Sequence, residues 1–498
     1  MTSPADETRP EETSTTETTG QPEEPVDELV TTHHTLELPT GPLRYTAQAG
    51  RVVLRKEVFT DGKSEGLKPV AAIFLTSYTV DDADPTRRPV VFAFNGGPGT
   101  SSAWLHLGLL GPRRVVSGDV GAMEPPPYGL TDNLETLLAH ADLVFVDPVS
   151  TGYSRPVKGE PDKDFHGFTG DIESVGELIR LWISRNGRWL SPKFLAGESY
   201  GTLRASALAE HLQTRFGLYL NGLILISAAL DLGTLIADGH NDRPYPLFVP
   251  TYAAIAHYHG LHGDRPLADV LREAEEFASR EYPWALAQGA RLSAEERADI
   301  AAKLARLTGL SADYIDRANL RIEHIRFFTE LLRSRRKVVG RLDARFTGPE
   351  ADYARERFSS DPTMDALLGP YAAALNHYVR AELNYHSDLP YEVINLRVNA
   401  KWSYAEFEGK HISVVDRLSA AMRANPHLKL HVSFGYTDGA TPYFAAEHSL
   451  AQLAIPDELH QNIERAYYPA GHMMYVHDET RVQQAADLAA FVRSASNR

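Results

Sequence analysis

Gly197-Glu198-Ser199-Tyr200-Gly201 places a serine between two glycines, after the strand-like Lys193-Phe194-Leu195-Ala196 and before a helix-like run from Leu203 to Phe216. That spacing suits a sharp turn from which the serine oxygen stands clear of the backbone. A serine hydroxyl is a poor nucleophile until a base takes its proton, and the base needs a carboxylate to orient it. With a nucleophile elbow, those partners should follow in the order acid, then histidine. Asp438 meets the first requirement, in the turn Gly435-Tyr436-Thr437-Asp438-Gly439 after an apolar run. Glu447 and Asp457 fit less well, on or after a helix-like stretch. His472 meets the second, in Ala470-Gly471-His472, while His448 and His460 read as surface histidines. Attack on a carbonyl creates an oxyanion that needs preorganised N–H donors. The Tyr200 amide supplies one, and Gly97, in the Gly96-Gly97 pair of an earlier loop, supplies the other.

The elements around these residues predict an α/β fold. Leu43–Ala47, Arg51–Val58 and Val70–Tyr78 read as consecutive antiparallel strands, the last two joined through Asp61-Gly62. Val90–Phe94, Leu143–Val146, Phe194–Ala196 and Leu223–Ser227 are short apolar runs with helix-like segments between several of them. They imply a mainly parallel sheet with helices on both faces, whose chemistry collects at the carboxyl ends of the strands. The loops there are Asn95-Gly96-Gly97-Pro98-Gly99, Asp147-Pro148-Val149, the Ser199 turn and Asp231. Residues 34–236 form the first part of this core. Residues 237–385 read as a helical cap insertion, with helices over Leu267–Phe277, Ala294–Leu307 and Ala312–Arg336; Ser293 opens the second as a capping box. Residues 386–498 restore the core, through Leu428–Phe434, Arg465–Tyr468 and a closing helix over Ala485–Arg493.

Composition narrows the classes. A net charge of −16 over 498 residues argues against a nucleic-acid partner, and Arg333–Lys337, the best basic run, reads as a solvated helix end. No apolar run is long enough to suggest a membrane span. With no cysteine in the chain, disulfides and thiolate chemistry are out. His257, His259 and His262 lack carboxylates at ligand spacing, so no metal and no cofactor is expected. Residues 1–33, rich in Thr, Glu and Pro, are expected to be a disordered acidic tail carrying roughly half of the net charge, and a cytoplasmic protein is the default expectation. Trp104, just after the glycine block, is a candidate pocket wall.

The motifs together resemble the serine carboxypeptidase family. Asn95-Gly96-Gly97-Pro98-Gly99-Thr100-Ser101-Ser102 followed by Gly111-Pro112 is similar to its glycine block. Asp147–Ser154 is similar to its D-Q-P-V-x-x-G-F-S segment, one residue shorter. Gly197-Glu198-Ser199-Tyr200, Gly435–Asp438 and Ala470-Gly471-His472-Met473 match its nucleophile, acid and histidine motifs. The resemblance implies an α/β-hydrolase with a cap, releasing C-terminal residues from peptides through an acyl-enzyme on Ser199. It also implies that Asn95 and Glu198 bind the substrate's terminal carboxylate, favoured when Glu198 is protonated. Leu109 stands where the family has a second glutamate, with His106 nearby in sequence. That departure leaves open an esterase or acyltransferase using the same Ser199, Asp438 and His472. The partner is a peptide or small acyl substrate in either case, with oligomeric state undetermined.

Overall fold

The computed structural model of the chain describes residues 24–496. One mixed sheet holds β1 (Glu28–Leu38), β2 (Gly41–Thr60), β3 (Lys63–Val80), β4 (Val90–Phe94), β5 (Asp142–Val146), β6 (Lys193–Glu198), β7 (Gly222–Ile226), β8 (Lys429–Gly435) and β9 (Ile463–Tyr468). Their spatial order is β1-β2-β3-β5-β4-β6-β7-β8-β9, with Arg155–Pro156 added against β3. β1 to β3 and the β3–β5 pair are antiparallel. Every neighbouring pair from β5 to β9 is parallel. After β4 the chain steps outward to β5 and then crosses back to β6. The β4/β6 boundary is therefore the point where the winding reverses, and a crevice opens at the carboxyl ends there.

The parallel strands are apolar throughout because both faces are covered. Val90, Phe92 and Phe94 of β4, with Leu195, Leu223 and Leu225, enter one hydrophobic core. Val91 and Ala93, with Phe194, Ala196, Ile224 and Ile226, enter the other. Alternate side chains of one strand point to opposite faces, so a run buried on both sides shows no polar alternation. Helices α1 (Phe168–Arg185), α2 (Tyr200–Phe216) and α3 (Val415–Ala424) cover the first face. Helix α4 (Asp478–Ser496), with the helix Pro362–Ala381, covers the second.

Between β7 and β8 lie the helices Pro244–Tyr258, Leu267–Ser279, Glu281–Gln288, Ala294–Thr308, Ala312–Arg317 and His324–Glu330, which share a third core around Tyr252, Phe277, Leu304 and Phe327. Ser293 caps Ala294–Thr308 with a reciprocal Ser–Glu capping box. No described helix is long and apolar enough to cross a membrane.

Four expectations need correcting. Residues 1–23 of the expected tail lie outside the described residues, but from Glu28 the chain is a strand paired along β2. The two runs Leu43–Ala47 and Arg51–Val58 belong to one long strand, β2, so the antiparallel trio is β1–β2–β3. The helix predicted over Ala312–Arg336 is broken: Asn319 and Leu320 take positive φ, 54° and 62°, between two shorter helices. Arg333–Arg335 forms a separate exposed turn, and a small hairpin of Val338–Val339 with Thr347–Gly348 follows.

Candidate active site

β6 ends at Glu198 and α2 starts at Tyr200, so Ser199 alone makes the turn, with φ 60° and ψ −129°. Such a conformation is strained for a residue with a side chain and must be held by its surroundings. The Ser199 N–H donates to the Ile226 carbonyl of β7 at 3.0 Å. A Cβ on Gly197 would sit 2.1 Å from the Gly201 carbonyl oxygen, and one on Gly201 2.8 Å from that of Phe94. Glycine at both positions is thus demanded by backbone packed against backbone. A Cβ on Gly96 would lie 2.5 Å from the Tyr200 nitrogen, so the loop after β4 is pressed onto the elbow. Buried Arg204 ties these parts together. It pairs with Asp171 of α1 at 2.8 Å and donates to the Asn95 carbonyl at 2.7 Å. Asp147, at the end of β5, accepts from the Ser102 N–H and hydroxyl and from the Tyr391 hydroxyl, which fixes the far end of the glycine block.

β8 delivers Asp438 and β9 delivers His472. His472 Nδ1–H donates to Asp438 Oδ2 at 2.8 Å, and both side chains are buried. Thr441 adds its hydroxyl to the same oxygen at 2.7 Å, while the Ala440 and Thr441 N–H groups donate to Oδ1 at 2.9 and 3.0 Å. Burial alone would raise the Asp438 pKa, but His472 and these donors outweigh it and hold the carboxyl below its ordinary value. Burial would lower His472, but the charge and hydrogen bond of Asp438 outweigh it and the imidazole is raised. With Nδ1 occupied, Nε2 is left as the basic nitrogen. Ser227, next to the residue that holds the Ser199 amide, donates its hydroxyl to the His472 carbonyl at 2.7 Å. The Ser199 hydroxyl itself makes no hydrogen bond with a described residue, a contact that often tightens only with substrate.

Beside the elbow, Glu198 is buried between two donors. Asn95 Nδ2 reaches Oε1 at 2.8 Å and the Tyr475 hydroxyl reaches Oε2 at 2.7 Å. Burial pushes the Glu198 carboxyl up to about 7, against the pull of His472, Tyr475 and Asn95. Asn95 is oriented by the Leu105 N–H, which donates to its Oδ1 at 3.1 Å. Leu109 is core, and His106 offers no substitute for the absent glutamate. It stacks on Phe145 and bonds to the Tyr78 hydroxyl at 2.7 Å, with burial pushing it down to about 3. Tyr475 is the group beside Glu198, and it fits because residue 108 is glycine: a Cβ there would lie 2.4 Å from the Tyr475 ring. Sequence reasoning missed Tyr475; its only signal was a tyrosine three residues after the histidine.

A cleft of about 340 Å³ opens in front of Ser199, lined also by Gly97, Tyr200, Ala229, Leu232, Trp402 and Thr441. Tyr200 is the first residue of α2, where the N–H has no partner within the helix. The Gly97 N–H is likewise free of any described acceptor. Thr441, Trp402 and Tyr404 were not anticipated at the cleft. Trp104, expected as a possible wall, is instead core, its ring against Tyr371 at 4.4 Å. His257, His259 and His262 each spend Nε2 on a backbone carbonyl, and no cluster able to hold a metal occurs among the described residues. Glu447 is paired with Arg465 at 3.0 Å, whereas His472 is paired with Asp438.

The reversed winding, the elbow on the sixth strand and the acid and histidine after the last two strands define an α/β-hydrolase. The sequence profile of the serine carboxypeptidase family matches residues 72–493, and the chain belongs to that family. Among curated relatives it is similar to serine carboxypeptidase-like 9 of Arabidopsis thaliana, 24% identical over 181 residues, covering 34% of this chain and 36% of the relative. It is also similar to serine carboxypeptidase-like 11 of the same plant, 28% identical over 137 residues, covering 26% and 30%. The matched stretch thus spans about a third of the length of these relatives. Among solved structures the fold is similar to that of Kex1(delta)p, a prohormone-processing carboxypeptidase from Saccharomyces cerevisiae. The TM-score is 0.53 at 15% identity, over 90% of this chain and 91% of that one.

Proposed function

We propose that this protein is a serine-type carboxypeptidase that removes C-terminal residues from peptides. Ser199 Oγ attacks the scissile carbonyl while His472 Nε2 takes its proton, and Asp438 keeps the imidazole oriented through Nδ1. The N–H groups of Gly97 and Tyr200 receive the oxyanion. His472 then hands its proton to the leaving nitrogen, and water, activated by the same base, releases the acyl group from Ser199. The observation that carries an exopeptidase reading is the buried Glu198 carboxyl, held by Asn95 and Tyr475 one residue before the nucleophile. With its pKa near 7, Glu198 is protonated below neutrality and can donate to a substrate carboxylate. Above that pH it is an anion and repels the same group.

The test is a pair of peptides differing only at the C-terminus, free or amidated. The free peptide is expected to lose one residue at a time and the amide to be cleaved far more slowly. Equal rates would favour the esterase or acyltransferase reading, for which the apolar Leu109 in place of a second carboxyl is the specific support. Failure of a fluorophosphonate to label Ser199 would remove both readings. A cytoplasmic setting, expected from composition, belongs to the same proposal, and cell fractionation checks it.

A further inference from the structure

The cleft in front of Ser199 is lined by no Asp or Glu, although the chain is strongly acidic. It is lined by Arg341, from the segment that returns from the cap. The Arg341 guanidinium makes no hydrogen bond and no ion pair with any described residue. Its charge reaches His324 and His472, which belong to the cap and to the loop after β9. Asp361, the carboxylate it also acts on, is already occupied. One oxygen accepts the backbone N–H groups of Arg341 and Leu342 at 3.2 Å each, and the other accepts from Thr363 at 2.9 Å. His324 lines the cleft as well, but burial pushes it down to about 4, so near neutral pH the charge facing this space is that of Arg341. The guanidinium thus faces the cleft with its donors unspent, and their planar fork matches a carboxylate.

The position says which part of a substrate meets it. The Arg341 carbonyl accepts the Gly439 N–H at 3.0 Å, so Arg341 stands beside Ala440 and Thr441 at the cleft wall. Asn95, Glu198 and Tyr475, read above as holding the terminal carboxylate, do not line this cleft. The space is therefore left for the acyl side of the scissile bond, with Leu232, Leu235 and Ile236 as an apolar wall for methylene groups. We infer that Arg341 selects substrates with a carboxylate on the acyl side: peptides with Glu or Asp as the penultimate residue. This inference deepens the carboxypeptidase reading and rests on it for its peptide form.

The experiment compares kcat/KM for N-blocked dipeptides with Glu or Gln as the penultimate residue and the same leaving residue. The same two acyl groups are also offered as α-esters. The wild type is expected to favour Glu by about tenfold or more, the usual size of a charge-assisted hydrogen bond. Arg341→Met should bring the ratio to near one, Arg341→Lys should keep part of it, and Arg341→Glu should turn the preference towards Gln. Ratios within one enzyme cancel any change in folded fraction or in His472, and fluorophosphonate titration counts competent sites in each variant. A wild-type ratio near one, or a ratio retained in Arg341→Met, overturns the inference. Peptides cleaved with a ratio of one would sink it while leaving the exopeptidase reading intact. Esters showing the preference while peptides are untouched would uphold it and remove that reading.

Discussion

At the scale of single residues, proton positions carry the chemistry. His472 must be neutral to accept the Ser199 proton, and its pKa is raised, so activity should climb with pH through a value above that of a free imidazole. Glu198 should act in the opposite sense: recognition of a free C-terminus is present below about 7 and fades as pH rises through that value. The expected kcat/KM profile for peptides is a bell, and for esters without a terminal carboxylate the falling limb should be absent. Identical profiles for the two substrate types would refute the role given to Glu198. Tyr475→Phe removes a donor that favours ionised Glu198, so the falling limb for peptides should move to higher pH by up to about one unit. Asp438→Asn leaves the imidazole in the wrong tautomer and should lower kcat by roughly 10⁴-fold with little change in KM. Ser199, Asp438, His472, Asn95 and Glu198 were readable because each sits in a local motif, with special backbone needs around the elbow. Tyr475 and Arg341 were not, because a lone tyrosine or arginine gains meaning only from what lies opposite it across the fold.

At the scale of elements, the glycines and the buried ion pair hold the parts at working distances. Gly108→Ala would push a methyl group into the Tyr475 ring, and overpacking of this kind costs about 1–3 kcal/mol. It should also raise KM for free-acid peptides more than for esters; equal effects would argue against the link from Gly108 through Tyr475 to Glu198. Arg204→Ala strands Asp171 in the core between α1 and α2, for which about 3–5 kcal/mol of lost stability is expected in a urea titration. The parallel strands were legible because burial on both faces leaves nothing but apolar residues. β1 was not, since an edge strand with Thr31, Thr32, His33 and His34 has the composition of a solvated tail while still pairing through its backbone. The break at Asn319-Leu320 was hidden for a related reason. Apolar residues recur at helical spacing on both sides of it, and only the backbone angles show the interruption.

At the scale of the whole molecule, the helices between β7 and β8 pack on the Asp438 loop and also reach the cleft in front of Ser199. Phe328, from the cap, packs so closely on Gly439 that a Cβ there would lie 2.1 Å from its ring. Phe328→Ala should therefore cost about 3–5 kcal/mol as a core truncation and reduce kcat more than KM, because it loosens the support of Asp438. A stability loss with unaltered kcat would show that the acid loop does not lean on the cap. The alternation of core and cap along the chain left a compositional trace, since strand-like runs give way to amphipathic helices and then return. The contact between cap and loop left none.

The bend at residues 341–343 carries its Leu342 carbonyl to the His472 N–H at 2.7 Å and its Arg341 carbonyl to the Gly439 N–H, while Asp343 takes the Thr437 hydroxyl at 3.1 Å. The proposed selectivity and the proposed turnover thus lean on the same three residues. An engineer who grafts a foreign lid onto this scaffold to change its diet would have to transplant everything except residues 341–343, or lose the base along with the old appetite.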